Sequence, residues 1–276
     1  AQPDRPAGRG LKLHAPPVAE TARALGIPVI QPTKIRTPEF LAQIEEQRPD
    51  VALVIAYGRI LPGPLLAIPK HGFLNVHASL LPAWRGAAPI QRAIEAGDRI
   101  TGVTIMRVDE ELDHGPMLAV ATTEIGPDER TPSLFERLSH LGAEALLPVL
   151  RNLERGTAIE TEQDHASATI APKIEKSEGL VELTEAAATI YDRFRAFDPW
   201  PGLWIETAGE TLKLTELRPV EGSGAPRTVL AIHEGVTVAT GAGAIRIDAL
   251  QRPGKPRAEA AAVARGLGWR VGERVP

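Results

Sequence analysis

The chain contains no cysteine, which excludes disulfides, thiolate zinc sites and a cysteine nucleophile. No apolar run approaches the ~18 residues that would cross a bilayer, so no membrane partner is expected. The opening stretch AQPDRPAGRG has no apolar middle region and is not a secretion signal. These absences fit a cytoplasmic protein. No G-x-G-x-x-G follows a strand-like run and no Walker-type GK[ST] occurs, so neither a dinucleotide site nor a phosphate loop has support. The 7 histidines show no metal-ligand spacing such as HExxH, so no metal is expected. There is no internal repeat and no low-complexity tract. The formal net charge of -4 gives no overall basic field to attract a polyanion.

The 276 residues suffice for two domains of ordinary size. An apolar content of 43% and a charged content of 24% are those of a globular protein. Charge is unevenly spread. Residues 251–276 carry six basic groups (Arg252, Lys255, Arg257, Arg265, Arg270, Arg274) against Glu259 and Glu273, whereas residues 176–250 carry seven basic against eleven acidic. The start is mildly basic, with Arg5, Arg9 and Lys12 against Asp4. Such ends are either solvated tails or contacts for a polyanion, and charge alone does not choose between these.

Residues 24–123 alternate short apolar runs with helical stretches. The runs 27–30, 51–55, 73–77 and 102–108 read as strands. The run 51–55 is apolar throughout, which predicts a strand covered on both faces. Thr37-Pro38-Glu39 predicts a helix start, with a capping hydroxyl followed by proline at the first helical position. Further helices are expected over 88–96 and from Thr131-Pro132 to about Leu153. Alternation of this kind predicts an α/β domain with a parallel sheet. Residues 157–173 are polar and irregular and read as a linker. A helix is expected over 184–196, then short β runs at 202–205, 212–217, 228–232, 236–239 and 244–248, broken by glycine turns. That spacing suggests a small barrel. Trp200 and Trp204 are expected to pack between the helix and this barrel. The chain opens in a loop with no initiator methionine, and its alternation starts one unit late for a doubly wound domain. The expectation is a chain lacking an opening βαβ segment, and folding poorly alone for that reason.

The chemistry concentrates in NVHASLLPAWRG, residues 75–86. Asn75 and His77 are two apart on a strand and so face one side. They lie at the strand's C-terminal end, where open α/β sheets place ligands. An amide can donate to an oxyanion formed when a carbonyl is attacked, and an imidazole can move protons near neutral pH. Acyl transfer to or from nitrogen needs both. Ser79-Leu80-Leu81-Pro82 then offers main-chain donors and acceptors to a flat heterocycle. Past the strand 102–108, Asp113 precedes a His-Gly loop and is placed to orient the His77 ring. Strand-end capping explains Asn75 and His77 equally well, and a turn explains Asp113. The loop Ala56-Tyr57-Gly58-Arg59-Ile60-Leu61 follows the buried strand and reads either as a ligand wall or as an ordinary connection.

NVHASLLPAWRGAAPIQRAI and GVTIMRVDEELDHGPML resemble the folate-dependent formyltransferases. QPDRPAGRG, AYGRILP and RAFDPWPGLW fit the branch of that family that acts on aminoacylated tRNA, and the resemblance covers nearly the whole chain. It implies a Rossmann-type formyltransferase domain at 1–156, a linker at 157–175 and an OB-like β-barrel domain at 176–276 that binds tRNA. It implies transfer of a formyl group from 10-formyltetrahydrofolate, as co-substrate, to the α-amino group of methionyl initiator tRNA, with no metal. By motif match the catalytic Asn, His and Asp fall on Asn75, His77 and Asp113. Folate binding falls on Ser79, Leu80, Leu81 and Pro82, with Arg59, Ile60 and Leu61 contributing mostly main chain. Contacts to the tRNA acceptor stem fall on Arg5, Arg9 and Lys12. Ala78 stands where many relatives have glycine, and His114 where many have threonine. The chain is expected to act as a monomer.

Competing readings are a formyltransferase for a small amine (glycinamide ribonucleotide or an amino sugar), an RNA-binding module on an inactive scaffold, and a dehydrogenase. The β-rich region and basic tail argue against the first, the intact Asn75, His77 and Asp113 against the second, and the lack of a glycine fingerprint against the third.

Overall fold

The computed structural model describes residues 1–7, 12–207 and 209–275. A hairpin, β1 (Arg5–Ala7) and β2 (Lys12–His14), opens the chain, where the sequence suggested only a loop. Then follow α1 (Pro17–Ala24), α2 (Pro38–Glu46), β3 (Ala52–Val54), α3 (Gly63–Leu66), β4 (Phe73–His77), β5 (Arg85–Gly86), α4 (Pro89–Glu95), β6 (Ile100–Arg107), β7 (Met117–Glu124) and α5 (Thr131–Arg155). The remainder holds β8 (Ile170–Ala171), α6 (Ala187–Ala196), β9 (Leu203–Thr207), β10 (Glu210–Val220), β11 (Val229–Ile232), β12 (Val236–Ala239), β13 (Ala244–Gln251), β14 (Arg257–Glu259) and α7 (Ala260–Gly266).

The chain forms two compact units that interleave along the sequence. The first comprises 1–77, 103–120 and 142–168; the second comprises 78–102, 121–141 and 169–276. Strands β3, β4, β6 and β7 are ordered β3-β4-β6-β7 in one sheet. β3 pairs parallel with β4, and β4 pairs antiparallel with β6. The sheet is therefore mixed, not parallel throughout.

In the first unit, Thr37 caps α2 as its sequence demands: its hydroxyl accepts from the Phe40 N–H at 3.3 Å, and Pro38 occupies the first turn. Ile35, Leu61, Leu65 and Phe73 form a buried cluster, with Phe40, Leu41, Ile44 and Val54 packed against it. α5 approaches the face of β4 that carries Val76. A side chain at Gly142 would bring Cβ to 2.6 Å from Val76 Cγ1, so glycine is what allows that approach.

Two expectations here fail. Residues 27–30 form no strand: Pro28 has no N–H to give a ladder, and the Ile30 carbonyl accepts from the Ala1 amino group instead. β3 is also not covered on both faces. Leu53 is 42% exposed and Ile55 58%; two apart on the run, they share one face, and that face is left open among the described residues.

The second unit carries an antiparallel sheet, ordered β11-β12-β13-β10-β9 with β14 added to β13. Its inner positions alternate as the sequence does. Leu212 and Leu214 on β10, Val236 and Val238 on β12, and Ile245 and Ile247 on β13 are all buried. β5 pairs parallel with β8, and Gly86 sits at φ 125 where a Cβ would fall 2.7 Å from the Ala171 carbonyl oxygen. Trp204 packs against Gly179, ahead of α6, where a Cβ would overlap the indole ring. Trp200 does not pack as expected: it is 53% exposed. The tail is partly structured, since Ala260, Ala261 and Ala264 of α7 are buried. No helix among the described residues is long and apolar enough to cross a membrane.

Candidate active site

Three of the candidate side chains, Asn75, His77 and Asp113, meet in the first unit. β4 presents Asn75 and His77 on one face because side chains two apart on a strand point the same way; Val76 takes the opposite face. The backbone is fixed on both sides, by β3 and by the register Asn75–Met106 and His77–Thr104 with β6. The third member comes from the loop after β6. Asn75 Nδ2 donates to Asp113 Oδ1 at 3.2 Å. His77 Nδ1 lies 3.6 Å from Asp113 Oδ2, within ion-pair reach though long for a hydrogen bond. The His77 side chain is 5% exposed and that of Asp113 13%, so little water screens the pair and its attraction is stronger than at a surface.

Asp113 is held in an unusual conformation. Its φ of 47 lies in the left-handed region, which aspartate tolerates better than most residues. Several bonds impose it. The Arg107 N–H donates to the Pro116 carbonyl at 2.9 Å and closes the base of the loop. Asp109 accepts from the Glu111 N–H at 2.9 Å and lies 2.8 Å from His114 Nδ1. Gly115 fits only without a side chain, since a Cβ would sit on the Arg107 carbonyl oxygen at 2.3 Å. From far along the chain, Gln163 Nε2 donates to the Asp113 carbonyl at 2.9 Å and to the Gly115 carbonyl at 2.7 Å. His165 stacks on His114 with ring centroids 4.0 Å apart.

Gln163 is buried and was not expected to matter. It lies in the polar stretch taken for a linker, with no periodicity or motif to single it out. Asp109 and His165 support the loop as well, the first through a local turn and the second through its ring contact with His114.

The remaining candidates fall elsewhere. In the first unit, Arg59 reaches the carbonyls of Pro32 and Thr33 at 3.3 and 3.1 Å. Ile60 is 75% exposed, while Leu61 belongs to the buried cluster. Arg5 is exposed on β1 and donates to Gln2 at 3.4 Å. Lys12 begins β2, and Arg9 lies outside the described residues. Ser79, Leu80, Leu81 and Pro82 belong to the second unit. The Ser79 hydroxyl is buried and donates to the Ala83 carbonyl at 2.6 Å, so it serves the turn. Leu81 is buried as well, while Leu80 and Pro82 are partly exposed. Beyond this turn, Trp84 Nε1 donates to Asp98 at 2.8 Å and the Trp84 N–H to Thr169 Oγ1 at 2.8 Å, which sets the path into α4. Among the described residues no group of three or more His, Cys, Asp or Glu side chains is arranged to hold a metal ion.

An amide, an imidazole and a carboxylate thus converge at the end of a strand, the kinds of group that acyl transfer uses. The sequence matches the family described as formyl transferase over residues 1–150 and its C-terminal domain over residues 173–268. The chain belongs to the formyl transferase family. It is similar to the methionyl-tRNA formyltransferase of Geobacter metallireducens, 45% identical over 260 residues, which spans 94% of this chain and 84% of that protein. The methionyl-tRNA formyltransferase of Myxococcus xanthus is 48% identical over 255 residues, spanning 92% of this chain and 82% of its own. Among solved structures, HypX from Aquifex aeolicus in complex with tetrahydrofolic acid matches with a TM-score of 0.63 at 26% identity, covering 86% of this chain and 42% of HypX. The N-formyltransferase from Helicobacter canadensis matches with a TM-score of 0.64 at 15% identity, over 90% of this chain and 86% of that one; this is a likeness of fold.

Proposed function

We propose that the protein transfers the formyl group of 10-formyltetrahydrofolate to the α-amino group of methionyl initiator tRNA, for translation initiation. One observation carries this reading: the Asp113 carboxylate lies between Asn75 and His77 in a chain 45% or more identical to named methionyl-tRNA formyltransferases over nine-tenths of its length.

The geometry supports the following roles. The amine of the aminoacyl ester attacks the formyl carbon, and negative charge develops on the formyl oxygen. Asn75 has two amide hydrogens. One is committed to Asp113, which fixes the amide plane, and the other donates to the developing oxyanion. Losing one such donor costs about 10²–10³ in rate. His77 presents Nδ1 to Asp113 and uses Nε2 to move the proton from the attacking amine toward the departing folate nitrogen, a service worth about 10²–10⁴. Asp113 orients the ring and balances the charge it acquires; their 3.6 Å separation tightens when substrate arrives, as such contacts do.

Folate is held by the main chain of residues 79–82 and of Arg59, Ile60 and Leu61. The buried, bonded Ser79 hydroxyl supports a main-chain role for that turn. Arg5 on β1, Lys12 on β2 and Arg9 meet the acceptor stem. Catalysis is assigned to residues 1–156 and tRNA binding to residues 176–276, joined by 157–175. The protein acts as a cytoplasmic monomer. Incubation with 10-formyltetrahydrofolate and methionyl initiator tRNA should yield formylmethionyl-tRNA. Its absence, or equal activity after Asn75→Ala and His77→Ala, would sink the assignment.

A further inference from the structure

The second unit contains a cavity of about 120 Å³ lined by Arg130, Phe194, Asp198, Gly202, Lys213 and Thr215, among others. Its polar groups are incompletely partnered. Lys213 and Thr215, both on β10, line it together. Thr215 is the residue that β10 inserts between the pairs Leu214–Leu250 and Glu216–Ala249. Such a bulge re-aims a side chain and is common beside binding sites. The Thr215 hydroxyl is buried with no hydrogen-bond partner. Lys213 has no carboxylate within ion-pair reach among the described residues. Its terminal atoms lie over Gly202, where a Cβ would come within 2.7 Å of Lys213 Cε; glycine there leaves the wall to the lysine. Arg130 rests its guanidinium 4.5 Å above the Phe194 ring and lies 3.4 Å from Asp198. Two cations against one carboxylate leave the lining with one surplus positive charge.

We propose that this cavity seats one phosphodiester group of the RNA substrate. A phosphodiester carries one negative charge, which equals the surplus. Its two unesterified oxygens accept from the Thr215 hydroxyl and from the Lys213 ammonium, and the remaining charge faces Arg130. A dianionic free phosphate would meet the Asp198 carboxylate with its second charge uncompensated. The cavity can admit a group of several heavy atoms, since one water needs only about 10–15 Å³ on the same measure. This assignment rests on the formylation of tRNA and adds to it a contact that uses neither Asn75, His77 nor Asp113.

The test is the salt dependence of methionyl initiator tRNA binding to wild type, Lys213→Gln, Lys213→Arg and Thr215→Val. Each lysine–phosphate contact contributes about one to the slope of log affinity against log salt. Lys213→Gln should lower the slope by about that amount and raise the Kd for the tRNA most at low salt. Lys213→Arg should restore the slope, which separates lost contact from lost fold. Thr215→Val should weaken binding at every salt concentration with the slope kept. A Lys213→Gln protein with the wild-type slope overturns the proposal. So does competition by millimolar inorganic phosphate that needs Lys213 while the tRNA slope stays put, for then the ligand is free phosphate. A wild type that formylates normally while the variants match it sinks the cavity alone; a wild type that neither binds nor formylates the tRNA sinks the functional reading as well.

Discussion

The Asn75 amide nitrogen lies 3.2 Å from one oxygen of Asp113, while the other oxygen faces His77. One carboxylate thus contacts both groups proposed to carry formyl transfer. The two roles are separable by substitution.

Asn75→Ala removes the oxyanion donor and is expected to lower kcat by about 10²–10³ with little change in Tm. Steady-state kinetics and a thermal melt decide this. A fall in KM-linked affinity with kcat kept would instead mark Asn75 as a ground-state contact.

Gln163→Leu leaves the carbonyls of Asp113 and Gly115 without their donor. If Gln163 acts by aiming Asp113, the substitution should reduce kcat in the wild-type background and add almost nothing after Asp113→Asn. Such a cycle isolates the coupling between the pair. Equal losses in both backgrounds would show a structural role alone, and an Asp113→Asn enzyme with full activity would remove Asp113 from the mechanism.

Gly115→Ala forces a Cβ onto the Arg107 carbonyl oxygen, at 2.3 Å before relaxation. Overpacking of this kind costs about 1–3 kcal/mol, and the loop that bears Asp113 must move. Urea unfolding should show the lost stability, and kcat should fall with it.

The second unit offers a pH test away from the catalytic groups. Arg92 donates to both oxygens of Glu178, at 2.7 and 3.1 Å. These hydrogen bonds hold the Glu178 carboxyl below its ordinary value of 4.5 despite partial burial. A depressed carboxylate contributes stability above its unfolded-state value and loses it as pH falls through the folded-state value. Glu178→Gln is therefore expected to cost about 1–2 kcal/mol near neutral pH, with the gap to wild type closing in acid below about 4.5. A gap that persists in acid would assign the cost to packing.

Much of this was legible because it depends on local sequence. Thr37-Pro38 fixes the start of α2 through a hydroxyl and a ring. β4 runs over Phe73–His77, as its apolar pattern requires, and delivers Asn75 and His77 to one face. What escaped notice depends on partners distant in the chain. β7 takes its place at the end of the sheet beside β6, and the residues at 27–30 have strand composition but pair with no strand among the described residues. The polar stretch around Gln163 has no period to detect, yet its amide braces the loop that carries Asp113.

That brace also orders events during synthesis. Gln163 follows Asp113 by 50 residues, so the ribosome must make the whole of β7 and α5 before the donor exists. A nascent chain halted before Gln163 carries Asn75, His77 and Asp113 but lacks the side chain that holds the Asp113 and Gly115 carbonyls. Its catalytic competence should therefore arise late in translation.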